Sequence, residues 1–295
     1  MISRRTFLKN SAVAMAAAAT ADTFFAACGS AAKASESMQL GLVTYNWGKD
    51  WDVPTLITNC KSAGLTVIEL RVEHRHGVSP ALTAAERKDI KRLFSDSGLI
   101  LAGFGTNYEF HSPDPETVKA NIEGAKEYLL LSRDCGGSGV KVKPNDLPKD
   151  IPAEQTIAQI AKALNELGAF AASIGQEVRL EVHGGCAHIP VMKAIIDQVT
   201  EPSVGLCWNC NPQDLEDAGL AANFASVRSR LGRTTHIRAL TSDTYPTKEL
   251  FDLLKKSNYK GWLLIEEGSD NLPAQERIQK MKRSAELFAE WNKQS

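Results

Sequence analysis

Glu181, Asn209, His236 and Glu266 follow one another at intervals of 28, 27 and 30 residues. Two carboxylates, an amide and an imidazole are oxygen and nitrogen donors, a set that suits Mn²⁺, Mg²⁺, Co²⁺ or Zn²⁺. Two carboxylates buried at one centre lose hydration and repel, so they need a counter-charge. A single divalent ion supplies it and acts as a Lewis acid. The four residues are therefore read as candidate metal ligands. Their spacing alone leaves open a barrel that holds no ion.

Each interval is the length of one strand plus one helix, which asks what elements carry the four residues. Short apolar runs recur at Leu40–Thr44, Val67–Leu70, Leu101–Gly105, Gly139–Val142, Val178–Val182, Val204–Trp208, Thr235–Leu240 and Trp262–Ile265. Near-continuous apolar strands are what a parallel sheet covered by helices requires. Amphipathic stretches lie between them, such as Thr156-Ile157-x-x-Ile160-Ala161-x-x-Leu164. Pro115 and Pro152 stand where a first helical turn tolerates a missing N–H, and Gly64, Gly98, Gly136 and Gly175 follow helical stretches.

Eight strand–helix units over residues 38–295 fit a single-domain (β/α)8 TIM barrel, whose usual size is about 250 residues. An open doubly wound sheet would carry a glycine-rich phosphate loop after its first strand, and Tyr45-Asn46-Trp47-Gly48 is not one.

In such a barrel the chemistry sits at the C-terminal ends of the strands. Strand ends and the loops just beyond them also present Glu69, Arg71, His74, Lys143 and His183, read as substrate contacts. Lys141, Glu109, His111 and His76 are weaker candidates, open equally to a reading as polar loop or strand-end residues. Trp47, Phe104, Tyr108 and Trp208 suit either sugar stacking or packing.

Glu181-x-His183 on strand 5, His236 on strand 7 and Gly261-x-x-x-Ile265-Glu266 on strand 8 resemble the xylose-isomerase-like barrel superfamily of sugar isomerases and epimerases. The resemblance implies that Glu181, His236, Glu266 and the strand 6 position, Asn209, bind one divalent metal. It implies too that Glu181 and Glu266 move protons on and off neighbouring sugar carbons. Asn209 stands where that family usually has Asp. Arg238 and Ala239 replace the Lys and Asp of its strand 7 motif. The implied reaction is epimerisation or isomerisation of a small carbohydrate through an enediolate. Two alternatives use the same residues: a keto-glycoside lyase, in which the enolate expels a leaving group, and a sugar-binding lipoprotein without catalysis. Export, the acidic balance and too few ligands for a three-zinc cluster argue strongly against an abasic-site endonuclease on this barrel.

Ser3-Arg4-Arg5-Thr6-Phe7-Leu8-Lys9, followed by the Ala-rich run to Ala27, resembles a twin-arginine export signal. Residues 1–27 are read as that signal and 28–37 as a tether. Phe25-Ala26-Ala27-Cys28-Gly29 resembles a lipobox with Cys28 as the lipidated residue. Ordinary cleavage near Ala32 to Ala34 is the alternative. A periplasmic or envelope location follows, with the export machinery as partner and a lipid anchor as the sole membrane attachment. Export disfavours a phosphorylated substrate and points to a free sugar, glycoside or oxidised glycoside. A net charge of −1 carries no footprint for nucleic acid. The cysteines beyond Cys28 are odd in number, so no disulfide framework is read. Cys207-x-x-Cys210 reads as core thiols, with a disulfide left open.

Overall fold

The computed structural model describes residues 37–268 and 272–294. The export signal over 1–27, Cys28 and the tether up to residue 36 lie outside the described residues. Eight parallel strands close on themselves in chain order: β1 (Gln39–Val43), β2 (Val67–Arg71), β3 (Ile100–Glu109), β4 (Gly139–Lys143), β5 (Glu177–Glu181), β6 (Val204–Asn209), β7 (Leu231–Ile237) and β8 (Trp262–Ile265). Helices alternate with them, and the chain is a (β/α)8 barrel.

Most of the apolar core lies between the strands and the helix ring, where residues such as Leu42, Ile68, Leu70, Val140, Leu180 and Leu206 are fully buried. A smaller cluster of Val43, Val67, Ala102, Trp262 and Leu264 is separate from it. The punctuation behaves as its chemistry requires. Thr83 and Glu86 form a reciprocal cap on the helix Ala84–Ser97, and Asp114 caps Pro115–Cys135. Gly64, Gly98, Gly136 and Gly175 all adopt positive φ.

β7 departs from its expected bounds. It begins at Leu231, through Gly232-Arg233-Thr234, and ends at Ile237 rather than Leu240. Arg233 interrupts the apolar pattern here; its guanidinium stacks on the Trp262 ring at 5.3 Å and its backbone N–H is bound by Glu177.

Side chains alternate along a strand, so one set of each strand points into the barrel. Here that set is strongly polar. Arg179 is fully buried, donating to the Ala102 carbonyl, the Ser138 hydroxyl and the Glu177 carboxylate. Above it, Glu69, Lys141, Glu181 and His236 are also buried. Gly105 on β3 makes room for this layer. A Cβ there would lie 2.8 Å from Glu69 Oε1 and 2.9 Å from Arg71 Cδ.

Candidate active site

The ends of β5, β6, β7 and β8 bring Glu181, Asn209, His236 and Glu266 together. β6 and β7 pair with Asn209 opposite His236, so these two arrive side by side. His236 Nδ1 lies 3.3 Å from Glu181 Oε1 and 3.3 Å from Glu266 Oε2. Its Nε2 lies 3.1 Å from Glu69 Oε1. Asn209 Nδ2 donates to Glu181 Oε1 at 3.2 Å. Lys141 donates to Glu181 Oε2 at 2.6 Å and to the Thr106 carbonyl at 3.3 Å.

Three carboxylates therefore surround one buried imidazole, and one ammonium meets them. Burial pushes the Glu181 carboxyl up, but the Lys141 ammonium and His236 outweigh it and hold the group well below the usual carboxylate range. Burial pulls His236 down, and the Glu266 and Glu69 carboxylates beside it reverse this and hold it well above its ordinary value.

The donors fit a divalent ion. The ligand atoms of Glu181, His236 and Glu266 lie within 4.8 Å of one another. With Nε2–H donated to Glu69, the Nδ1 lone pair faces two carboxylate oxygens. That arrangement is repulsive unless a proton or a metal ion stands among them. A carboxylate on the far nitrogen of a ligating histidine fixes its tautomer. Asn209 joins the donor set once its amide is turned to present Oδ1, an orientation that hydrogen bonding alone assigns. Lys141 already cancels one charge, so the site is less anionic than its carboxylates alone suggest.

A cavity of about 250 Å³ opens over these groups. Arg71, Lys143, His183, Asn211 and Arg238 line it together with Lys141, Glu181, Asn209 and Glu266. The sequence profile of the xylose isomerase-like TIM barrel family matches residues 57–291. The chain belongs to the xylose isomerase-like TIM barrel family. No curated protein matches it.

Solved structures similar to this barrel include a 3-keto-D-glucoside 4-epimerase from E. coli (TM-score 0.69, 17% identity, covering 84% of this chain and 99% of that chain). An L-ribulose 3-epimerase is similar at TM-score 0.72 and 16% identity, over 86% of this chain and 94% of that chain. A D-psicose 3-epimerase from Clostridium cellulolyticum H10 is similar at TM-score 0.70 and 15% identity, over 87% of this chain and 98% of that chain. Likeness at this identity shows the fold.

Within the family barrel, the other residues singled out in the sequence take varied places. His183 faces the cavity, its Nδ1 2.7 Å from Asn145 Oδ1, while Asn145 Nδ2 donates to Glu109. This Glu109–Asn145–His183 chain orients the ring. Arg71 and Lys143 line the cavity, and both donate to Asn107 Oδ1, at 2.9 and 3.2 Å. Burial, with Lys141 next to it, pulls the Lys143 ammonium below its usual value.

Glu69 lies beneath His236 with no exposed surface, rather than among the cavity-lining residues as a substrate contact would. Its Oε2 has no hydrogen-bond partner among the described residues. His74 also stands apart from the lining. It is half-buried against the Thr44 hydroxyl at 3.3 Å, and burial pushes it down to about 4. Trp47, Phe104 and Trp208 are core residues. Cys207 and Cys210 are buried free thiols.

Sequence reasoning set Lys141 low and did not weigh Asn107, Asn211 or Tyr45. A lysine between two valines on an otherwise apolar strand was the available signal for Lys141.

Proposed function

We propose that this protein is a metal-dependent sugar epimerase or isomerase that works by proton transfer beside a carbonyl. One observation carries the reading: carboxylates from β5 and β8 approach the same imidazole nitrogen at 3.3 Å each, at the floor of the cavity. The sugar epimerases among the similar structures support it.

Glu181, Asn209, His236 and Glu266 would hold the ion. When bound, it supplies Lewis-acid polarisation of the sugar carbonyl and charge for the enediolate. Glu266 and Glu181 stand on either side of the centre. One accepts the proton from the carbon next to the carbonyl; the other returns a proton from the opposite face, giving the epimer. Lys141 keeps Glu181 ionised. Glu69 accepts from His236 Nε2, which would leave Nδ1 free to hold the ion. His183, held by Asn145, offers its free edge to substrate hydroxyls.

Glu181→Gln and Glu266→Gln keep size and one oxygen but remove the base. Each is expected to lower turnover of a ketose or keto-glycoside by about 10²–10⁴. Full activity in both variants would refute the assignment.

A further inference from the structure

We propose that the cavity binds a sugar carrying an anionic group, held by Arg71 and Lys143. This rests on the sugar reading above and narrows its substrate class. Arg71 comes from the end of β2 and Lys143 from the end of β4. Both line the cavity and both point their cations at Asn107 of β3.

Among the described residues every hydrogen-bond acceptor of these two cations is neutral. Arg71 Nη1 donates to the Gly105 carbonyl at 3.0 Å and to Asn107 Oδ1; Lys143 donates to Asn107 Oδ1. Among the described residues neither has a carboxylate within ion-pair distance. Arg238, on the other side of the cavity, likewise donates to the Glu266 and Cys210 carbonyls alone. By contrast Lys141 has Glu181 at 2.6 Å. Among the described residues the cavity lining thus carries four cations, Arg71, Lys141, Lys143 and Arg238, against two carboxylates, Glu181 and Glu266, before any divalent ion is added.

Half-buried cations of one sign repel one another and are poorly hydrated. A neutral sugar would leave them so, whereas a carboxylate or phosphate on the substrate would accept charge-assisted hydrogen bonds from both. Arg71 enters from β2 and Lys143 from β4, next to the β5 strand that carries Glu181.

The test uses three ketoses that differ only at carbon 6: D-fructose, D-fructuronate and D-fructose 6-phosphate. Their affinities for the Mg²⁺-loaded protein and the metal-free protein are measured by titration calorimetry at low and high salt. At least one anionic sugar is expected to bind roughly tenfold or more tightly than fructose, the effect of one charge-assisted contact pair. Salt should reduce that preference. Tighter binding of D-fructuronate identifies the anion as a sugar acid, in keeping with export; tighter binding of D-fructose 6-phosphate identifies a phosphate ester and counts against export.

Arg71→Gln and Lys143→Gln should each shrink the anion-to-neutral ratio several-fold. Because the ratio is read, a general loosening of the site, which weakens all three sugars together, does not mimic the result. Fructose binding as tightly as both anions, or an unchanged ratio in both variants, overturns the proposal. Binding is read without turnover. An anion preference without proton exchange keeps this subsite and removes the epimerase reading; exchange without preference does the reverse.

Discussion

At the scale of single residues, the site is a set of acids arranged around His236. Glu69 illustrates how much depends on a side chain that the cavity does not touch. It accepts from Nε2 at 3.1 Å, and with its other oxygen unpartnered it has little else to do. Removing such an outer partner of a metal-bound histidine commonly lowers affinity 10–100-fold. Glu69→Ala is therefore expected to weaken divalent-ion binding by about that factor, and Glu69→Gln, which keeps an acceptor, by less. Titration with Mn²⁺ followed by electron paramagnetic resonance reads this directly. Equal affinity in wild type and Glu69→Ala would show that His236 needs no orientation.

At the scale of elements, each strand delivers its residue because the loop beyond it is pinned. The segment after β6 is held by Asp214, whose Oδ2 accepts from the Tyr245 hydroxyl at 2.7 Å and from the Asn211 N–H at 3.0 Å. Tyr245 in turn accepts from Trp208 Nε1 at 3.3 Å. Burial pushes the Asp214 carboxyl from 3.8 up to about 7. The folded state thus holds this proton more tightly than the unfolded chain. The group favours folding at low pH, loses that contribution as pH rises toward about 7, and changes little beyond. Asp214→Asn keeps an acceptor for Tyr245 without the charge. Relative to the variant, wild type should lose about 2 kcal/mol of stability between pH 5 and pH 8, measured by urea unfolding. A constant difference across that range would mean Asp214 is ionised throughout.

The elements also show what could be read beforehand. Six strands lie close to their expected positions because a covered parallel strand is a short apolar run between helical patterns, and that signal is local; β3 runs four residues past the expected Gly105, to Glu109. β7 extends back to Leu231 because Arg233 is stabilised by Trp262 and Glu177 from other strands, which no local pattern reveals. Strand-end position brought out Glu181, Asn209, His236 and Glu266. It could not say that Glu69 would lie under His236 or that Lys141 would meet Glu181. Those contacts depend on barrel closure and on the space left by Gly105.

At the scale of the whole molecule, the barrel brings the carboxylates at the ends of β5 and β8, far apart in sequence, to one imidazole nitrogen of His236. Among the described residues no helix is long and apolar enough to cross a membrane. We propose that the chain is exported by the twin-arginine route to the periplasm or envelope, with Cys28 as a lipid anchor, on the pattern of Ser3 to Lys9 and Phe25 to Gly29. Arg4→Lys combined with Arg5→Lys should leave the protein in the cytoplasm, and Cys28→Ala should release it from the membrane fraction. Normal export of the first variant, or a wild type already soluble, would refute the corresponding half. Proton transfer between Glu181, Glu266 and a sugar carbon leaves a solvent-exchange signature. Incubated in D₂O with a ketose substrate and a divalent ion, the protein should place deuterium on the carbon next to the carbonyl of the epimerised product, seen by NMR, and chelation should stop it. Epimerised product with no deuterium at that carbon, or deuterium incorporation undiminished in a Glu181→Gln, Glu266→Gln double variant, would contradict the account.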